Sequence, residues 1–199
     1  AKHLATLYLE DLSDFIVECV DENFGFSRYA ERLGRSANSF NELYHHLQNE
    51  PTFIDDITIK ILNERILNNQ PKLVLISVPF PGNLYSAFRC AQFIKANYPG
   101  VTIAMGGGFP NTELRELNDK RVFEFFDFIT LDDGELPVEL LTLKIKNPAS
   151  DEFKRTFLLE NNKVVYKNNT IKQDYKQSEV GTPDYSDLLL DKYISVIEI

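Results

Sequence analysis

Three short apolar runs, each ending in an unusual loop and each followed by a helix-patterned stretch, constrain this chain more than any other feature of its sequence. Leu73-Val74-Leu75-Ile76-Ser77-Val78 is almost continuously apolar, the pattern of a strand buried in a parallel sheet. The rigid loop Pro79-Phe80-Pro81-Gly82 follows. Asn83 then stands where it can cap a helix that sets Leu84, Ala87, Phe88, Ala91, Ile94 and Tyr98 on one face. The second run, 101–105, ends in Gly106-Gly107-Gly108, with Asn111 and Thr112 placed to cap a shorter helix holding Leu114 and Leu117. The third, 128–131, ends in Asp132-Asp133-Gly134-Glu135 and leads into a helix over 136–145. A strand roughly every 28 residues is the βαβ rhythm. The expected fold is α/β, a Rossmann-like or flavodoxin-like three-layer sandwich with a mainly parallel sheet. Such sheets bind ligands beyond the carboxyl ends of their strands, so loops 79–83, 106–110 and 132–135 are expected to line one rim.

The flanks are less patterned. Residues 4–9 read as a first strand, with Asp11 or Ser13 capping a helix through about Val20. Residues 21–38 read as a long loop with some helix. Ser39 is placed to cap a helix over 40–48, with Glu42 completing a capping box. Pro51 breaks that helix. Asp55 or Asp56 opens another, which sends Ile57, Ile61, Leu62 and Ile66 to one face before Pro71 ends it. After Pro148, segments 153–159 and 163–167 flank Glu160-Asn161-Asn162 as a β-hairpin. Residues 168–187 read as linker, and the β-branched stretch 193–199 as a further strand. The expected division is a Rossmann-like domain over 1–147, then a hairpin appendage, a linker and the start of a following domain over 148–199. The single methionine is Met105, and an open strand at a natural terminus invites aggregation. The chain is therefore expected to be part of a longer polypeptide.

Composition removes several functions. The formal net charge is −9 with no basic stripe, which excludes the electrostatic footprint of a nucleic-acid binder. No apolar run approaches a membrane span and no signal peptide is visible, so a cytoplasmic location without membrane attachment is expected. Cys19 and Cys90 match no metal spacing. His45 and His46 adjoin one another on a helix and His3 stands alone, so no metal pair or nucleophile–base arrangement follows from spacing.

The loops carry whatever chemistry there is. Three glycines directly after a strand allow either close approach of backbone to a flat ligand or phosphate, or a tight turn packed against a neighbour. The stretch 106–111 lacks the last glycine of a dinucleotide fingerprint, and no Walker-type lysine follows. Ser77 can bond a ligand or merely nearby backbone. Asp132, Asp133 and Glu135 suit either Mg²⁺ or helix capping.

In order, the features "LVLISVPFPGN", "AFRCAQFIKANYPG", "VTIAMGGGFP" and "FDFITLDDGELPVELL" resemble the cobalamin-binding domain that precedes the catalytic barrel in many radical SAM enzymes. Ser77 is followed by Val78 and Pro79, then 26 residues, then Gly106-Gly107, similar to the family's S-x-L and GG elements. The D-x-H-x-x-G element, whose His binds cobalt in the methionine-synthase type, is absent near Glu31-Arg32-Leu33-Gly34. So is the C-x-x-x-C-x-x-C signature of the barrel. The resemblance implies a module that seats cobalamin through Ser77, Pro79, Phe80, Asn83, Gly106, Gly107, Gly108, Gly134 and Glu135, with no catalytic residue and no protein metal ligand of its own. Its partner would be the barrel of the same parent chain, which would hold the 4Fe–4S cluster and S-adenosylmethionine. The rival reading is a degenerate regulatory or interaction domain that binds no cofactor, its rim closed by Phe80 and Phe109. A stand-alone flavin or nucleotide-sugar enzyme has no nucleophile–base pair to support it.

Overall fold

The computed structural model describes residues 2–26, 29–35, 40–186 and 188–189. Strands β1 (Leu73–Ser77), β2 (Thr102–Gly106), β3 (Phe128–Thr130), β4 (Thr156–Glu160) and β5 (Lys163–Lys167) form an open sheet in that same order. β1, β2 and β3 are parallel neighbours, β4 is antiparallel to β3, and β5 is antiparallel to β4. β4 alone therefore opposes the common direction. The expected hairpin is not an appendage: Ile129 pairs with Phe157 and Thr130 with Thr156, so one sheet continues across Pro148. Asn161 and Asn162 turn the chain at φ 50° and 63°, the left-handed pair that matches strand twist and that asparagine tolerates.

Helices α1 (Lys2–Cys19), α2 (Glu31–Arg35), α3 (Asn41–Gln48) and α4 (Phe53–Asn69) precede the sheet. α5 (Leu84–Asn97) joins β1 to β2, α6 (Gly108–Glu113) follows β2, α7 (Glu135–Lys146) follows β3, and the short α8 (Gln177–Val180) lies in the polar tail. Alternation along β2 divides the core. Ile103 and Met105 meet Phe88, Ala91 and Ile94 of α5 on one face, joined by Ile129 and Phe157. Ala104 meets Leu141 of α7, Phe153 and Leu158 on the other. Phe88 is the hub of an aromatic group, with ring centroids of Phe40, Phe126 and Phe125 at 5.0, 5.0 and 5.2 Å, in the tilted and edge-on arrangements that rings favour.

Several local expectations are corrected. Residues 4–9 lie inside α1, because good helix formers run uninterrupted from Lys2 and no sheet edge pairs with them. α1 buries none of its residues. Ser39 lies outside the described residues, and Phe40 at the start of α3 makes no side-chain cap bond. Thr52, not Asp55 or Asp56, caps α4; Asp55 is the reciprocal partner of its capping box, with Thr52 N donating to Asp55 Oδ2 at 3.1 Å. Within α4, Ile66 is buried while Ile57 and Ile61 face solvent. Among the described residues β1 is an edge strand rather than a buried one, with Leu75 48 % exposed. Asn83 sits in a 3-10 turn (Pro81–Asn83) and caps nothing. Asn111 and Thr112 lie within α6 rather than before it. The stretch 193–199 lies outside the described residues. No helix among the described residues is long and apolar enough to cross a membrane.

A buried polar knot ties the amino-terminal helices to the sheet. Arg89 of α5 and Asp55 of α4 approach at 3.0 Å with side chains 5 % and 3 % exposed. Tyr85 donates to Asp55 at 2.7 Å and accepts from Arg89 Nη2 at 2.8 Å. Burial, reinforced by the Asp55 carboxylate, pushes the Tyr85 hydroxyl up to about 12. The Arg89 guanidinium also donates to the carbonyls of His46 and Leu47, satisfying the end of α3.

Both cysteines are free, Cys19 exposed at the end of α1 and Cys90 half-buried in α5. Burial pushes the Cys90 thiol up to about 11. The thiolate is the reactive form, so Ellman's reagent at pH 8 is expected to titrate Cys19 quickly and Cys90 only after denaturation. Two thiols reacting equally fast in the native protein would contradict this burial. Because the folded state favours the neutral thiol, its stabilising contribution is intact below the ordinary thiol value and declines as pH rises through about 11.

Candidate functional site

The three unusual loops meet at the carboxyl ends of β1, β2 and β3. The backbone of β1 runs on past Ser77 into a clasp with the glycine triplet: Val78 N donates to the Gly106 carbonyl at 2.8 Å, and Phe109 N donates to the Val78 carbonyl at 2.9 Å. Gly107 takes φ 107°, where a side chain is strained. A Cβ there would lie 2.8 Å from Val78 N, and one on Gly108 would lie 2.7 Å from the Pro79 carbonyl oxygen. Gly34 of α2 closes on the carbonyl of Pro81 from behind in the same way. Two of the three glycines are thus used by the protein to bring its own loops together.

The third loop joins through side chains. Asn111 Oδ1 accepts from Asp132 N at 2.6 Å, holding Asp132 at φ 60°. Asp132 pairs with Arg115. Arg155 donates to the carbonyls of Leu131 at 3.3 Å and Asp133 at 3.0 Å, and bonds both Asp174 oxygens. Sequence reasoning missed Arg115 and Arg155, since neither has a spacing that ties it to the loop. Asp133 and Glu135 are exposed. Among the described residues no group of three or more His, Cys, Asp or Glu side chains is arranged to hold a metal.

On the α7 face the sheet ends in a polar row. Ser77 pairs in register with Gly106, a Cβ on Gly106 would lie 2.9 Å from Thr130 Oγ1, and Thr130 pairs with Thr156. Ser77 is exposed, and beneath it on the same face so is Leu75. Pro79, Asn83, Gly108, Gly134 and Glu135 are exposed around this row, and open space surrounds the Cβ position of Gly134. Phe80 is 69 % exposed and closes nothing, whereas Phe109 is buried in the core on the α5 side.

Of the nine residues expected to seat a cofactor, seven are exposed, and Gly106 and Gly107 are half-buried. None of them lines the cavity of about 520 Å³ that opens on the α5 side. His3 lies on α1, and His45 and His46 on α3, so no histidine belongs to the three rim loops. Comparison with protein-family models, with curated proteins and with solved structures yields no match.

Proposed function

We propose that this chain is the cofactor-binding module of a cobalamin-dependent radical SAM protein, a Rossmann-like sandwich whose sheet rim seats the corrin. Its partner is a catalytic barrel of the same parent chain, which holds the 4Fe–4S cluster and S-adenosylmethionine. The observation that carries the reading is the bare sheet face at the ends of β1 and β2. Leu75 and Ser77 are exposed there, Gly106 beside Ser77 has no side chain, and Gly134 leaves the opposite border open. An exposed leucine beside a side-chain-free strand end, fringed by a hydroxyl, an asparagine and a carboxylate, suits a flat ligand fringed by amides. Ser77 and Asn83 would bond the nucleotide tail or ring edge, and Glu135 the corrin amides. Bound cobalamin supplies radical or methyl-carrying chemistry that no side chain here can supply. The rim loops hold no histidine, so cobalamin would be held there through contacts to its ring edge and tail rather than through an imidazole. Free thiols at Cys19 and Cys90 fit a reducing cytoplasm.

Titration of the purified chain with hydroxocobalamin is expected to shift the visible absorption bands, and the pigment should coelute with protein on gel filtration. Gly134→Phe should abolish both effects without altering the far-UV spectrum. An unchanged spectrum at high micromolar cobalamin would sink the reading. One observation favours the degenerate domain instead: Gly107 and Gly108 are already committed to Val78 and Pro79. On that reading the titration is silent while the fold is intact.

A further inference from the structure

We infer that the cavity of about 520 Å³ on the α5 side is a docking site for a short, extended, basic peptide segment bearing apolar side chains. Its volume is within the range of small-ligand sites. The floor is made by buried apolar groups, Leu33, Leu43, Leu84, Phe88, Phe109 and Val122. The mouth is acidic. Among the described residues, Glu113, Glu116 and Asp119 border it against a single guanidinium, that of Arg121. Arg121 is already engaged: its Nη2 donates to Asp119 Oδ2 at 2.5 Å and to Asn41 Oδ1 at 2.8 Å, and it lies over the rings of Phe40 and Tyr44 at 5.5 and 5.0 Å. Asp119 and Arg121 neutralise one another. Glu113 and Glu116 make no ion pair with the described residues, so the described residues give the mouth a net negative charge.

An apolar trough under such a mouth complements apolar side chains flanked by lysine or arginine. The carboxylates are spread along 113–119 on α6 and the loop after it, which favours an extended ligand with repeated cations over one compact amine. Asn118, exposed at the mouth, has both a donor and an acceptor for a peptide backbone. The site shares no residue with the nine of the cofactor rim, so either can fail without the other.

The test is fluorescence anisotropy of the full chain with a labelled hexapeptide of alternating leucine and lysine. Two controls replace its lysines by glutamate or its leucines by glycine. The leucine–lysine peptide is expected to bind at least tenfold tighter than either control. The double substitution Glu113→Gln and Glu116→Gln should weaken it about tenfold, as the loss of two exposed ion pairs. Glu10→Gln with Asp14→Asn, the same charge change on α1, should leave it unchanged. Equal binding of the glycine–lysine peptide, or equal effects of the two double substitutions, would reduce the interaction to diffuse attraction by net charge and overturn the site.

Discussion

Replacing Arg89 by methionine is expected to destabilise the domain by about 3–5 kcal/mol, the usual cost of stranding one partner of a buried ion pair. Asp55 would keep bonds from Tyr85 and from Thr52 N, but its carboxylate would face no cation in a site 3 % exposed. The carbonyls of His46 and Leu47 would also lose donors, so damage should spread to the end of α3. Urea denaturation followed by far-UV circular dichroism measures the loss. A second variant identifies its cause. Arg89→Met combined with Asp55→Leu removes both charges, and replacing a buried pair with apolar groups is often close to neutral. The double variant should therefore recover a good part of the stability. A single variant within about 1 kcal/mol of the parent would mean that the pair is not a buried charge interaction.

Gly107→Ala is expected to be the most damaging substitution at the rim, at about 3 kcal/mol or more. Two costs combine: an alanine forced to φ 107°, which carries roughly 1–3 kcal/mol of strain, and a methyl group 2.8 Å from backbone atoms of Val78. Backbone cannot rotate aside as a side chain can, so β1 and β2 must separate at their carboxyl ends. Gly134→Ala is the contrast. Its φ is −83° and its Cβ position is open, so stability should change by less than about 0.5 kcal/mol. If thermal unfolding finds the two substitutions equally mild, the clasp between Val78 and the glycine triplet is not holding the rim together.

The glycine triplet shows how far a sequence can be read. Its position after a strand is visible in the residues, and so is its need for backbone freedom. What that freedom serves is not. Gly107 and Gly108 admit the protein's own Val78 and Pro79, while Gly106, in register with Ser77, makes room for the Thr130 hydroxyl. The strand–helix alternation from Leu73 onward was legible because apolar runs of strand length alternate with helical periods, and those periods follow from backbone geometry alone. The amino-terminal third was harder. An apolar run such as residues 4–9 suits either a strand or one face of a helix, and only the presence or absence of a pairing edge decides between them. Nothing in the local pattern marks Arg89, because its partners Asp55 and His46 come from helices more than thirty residues away.

By itself, the sequence determined the three parallel strands, the loops that end them and the negative net charge. Those are properties of residue order and composition. The tertiary structure decided that the carboxy-terminal hairpin extends the main sheet, that β1 is an edge among the described residues, that Arg115 and Arg155 grip the third loop, and that most of the rim is exposed while a separate cavity opens on the opposite face. Each of these depends on which distant surfaces meet. Side-chain periodicity reports which face of an element is apolar, but carries no information about what covers it.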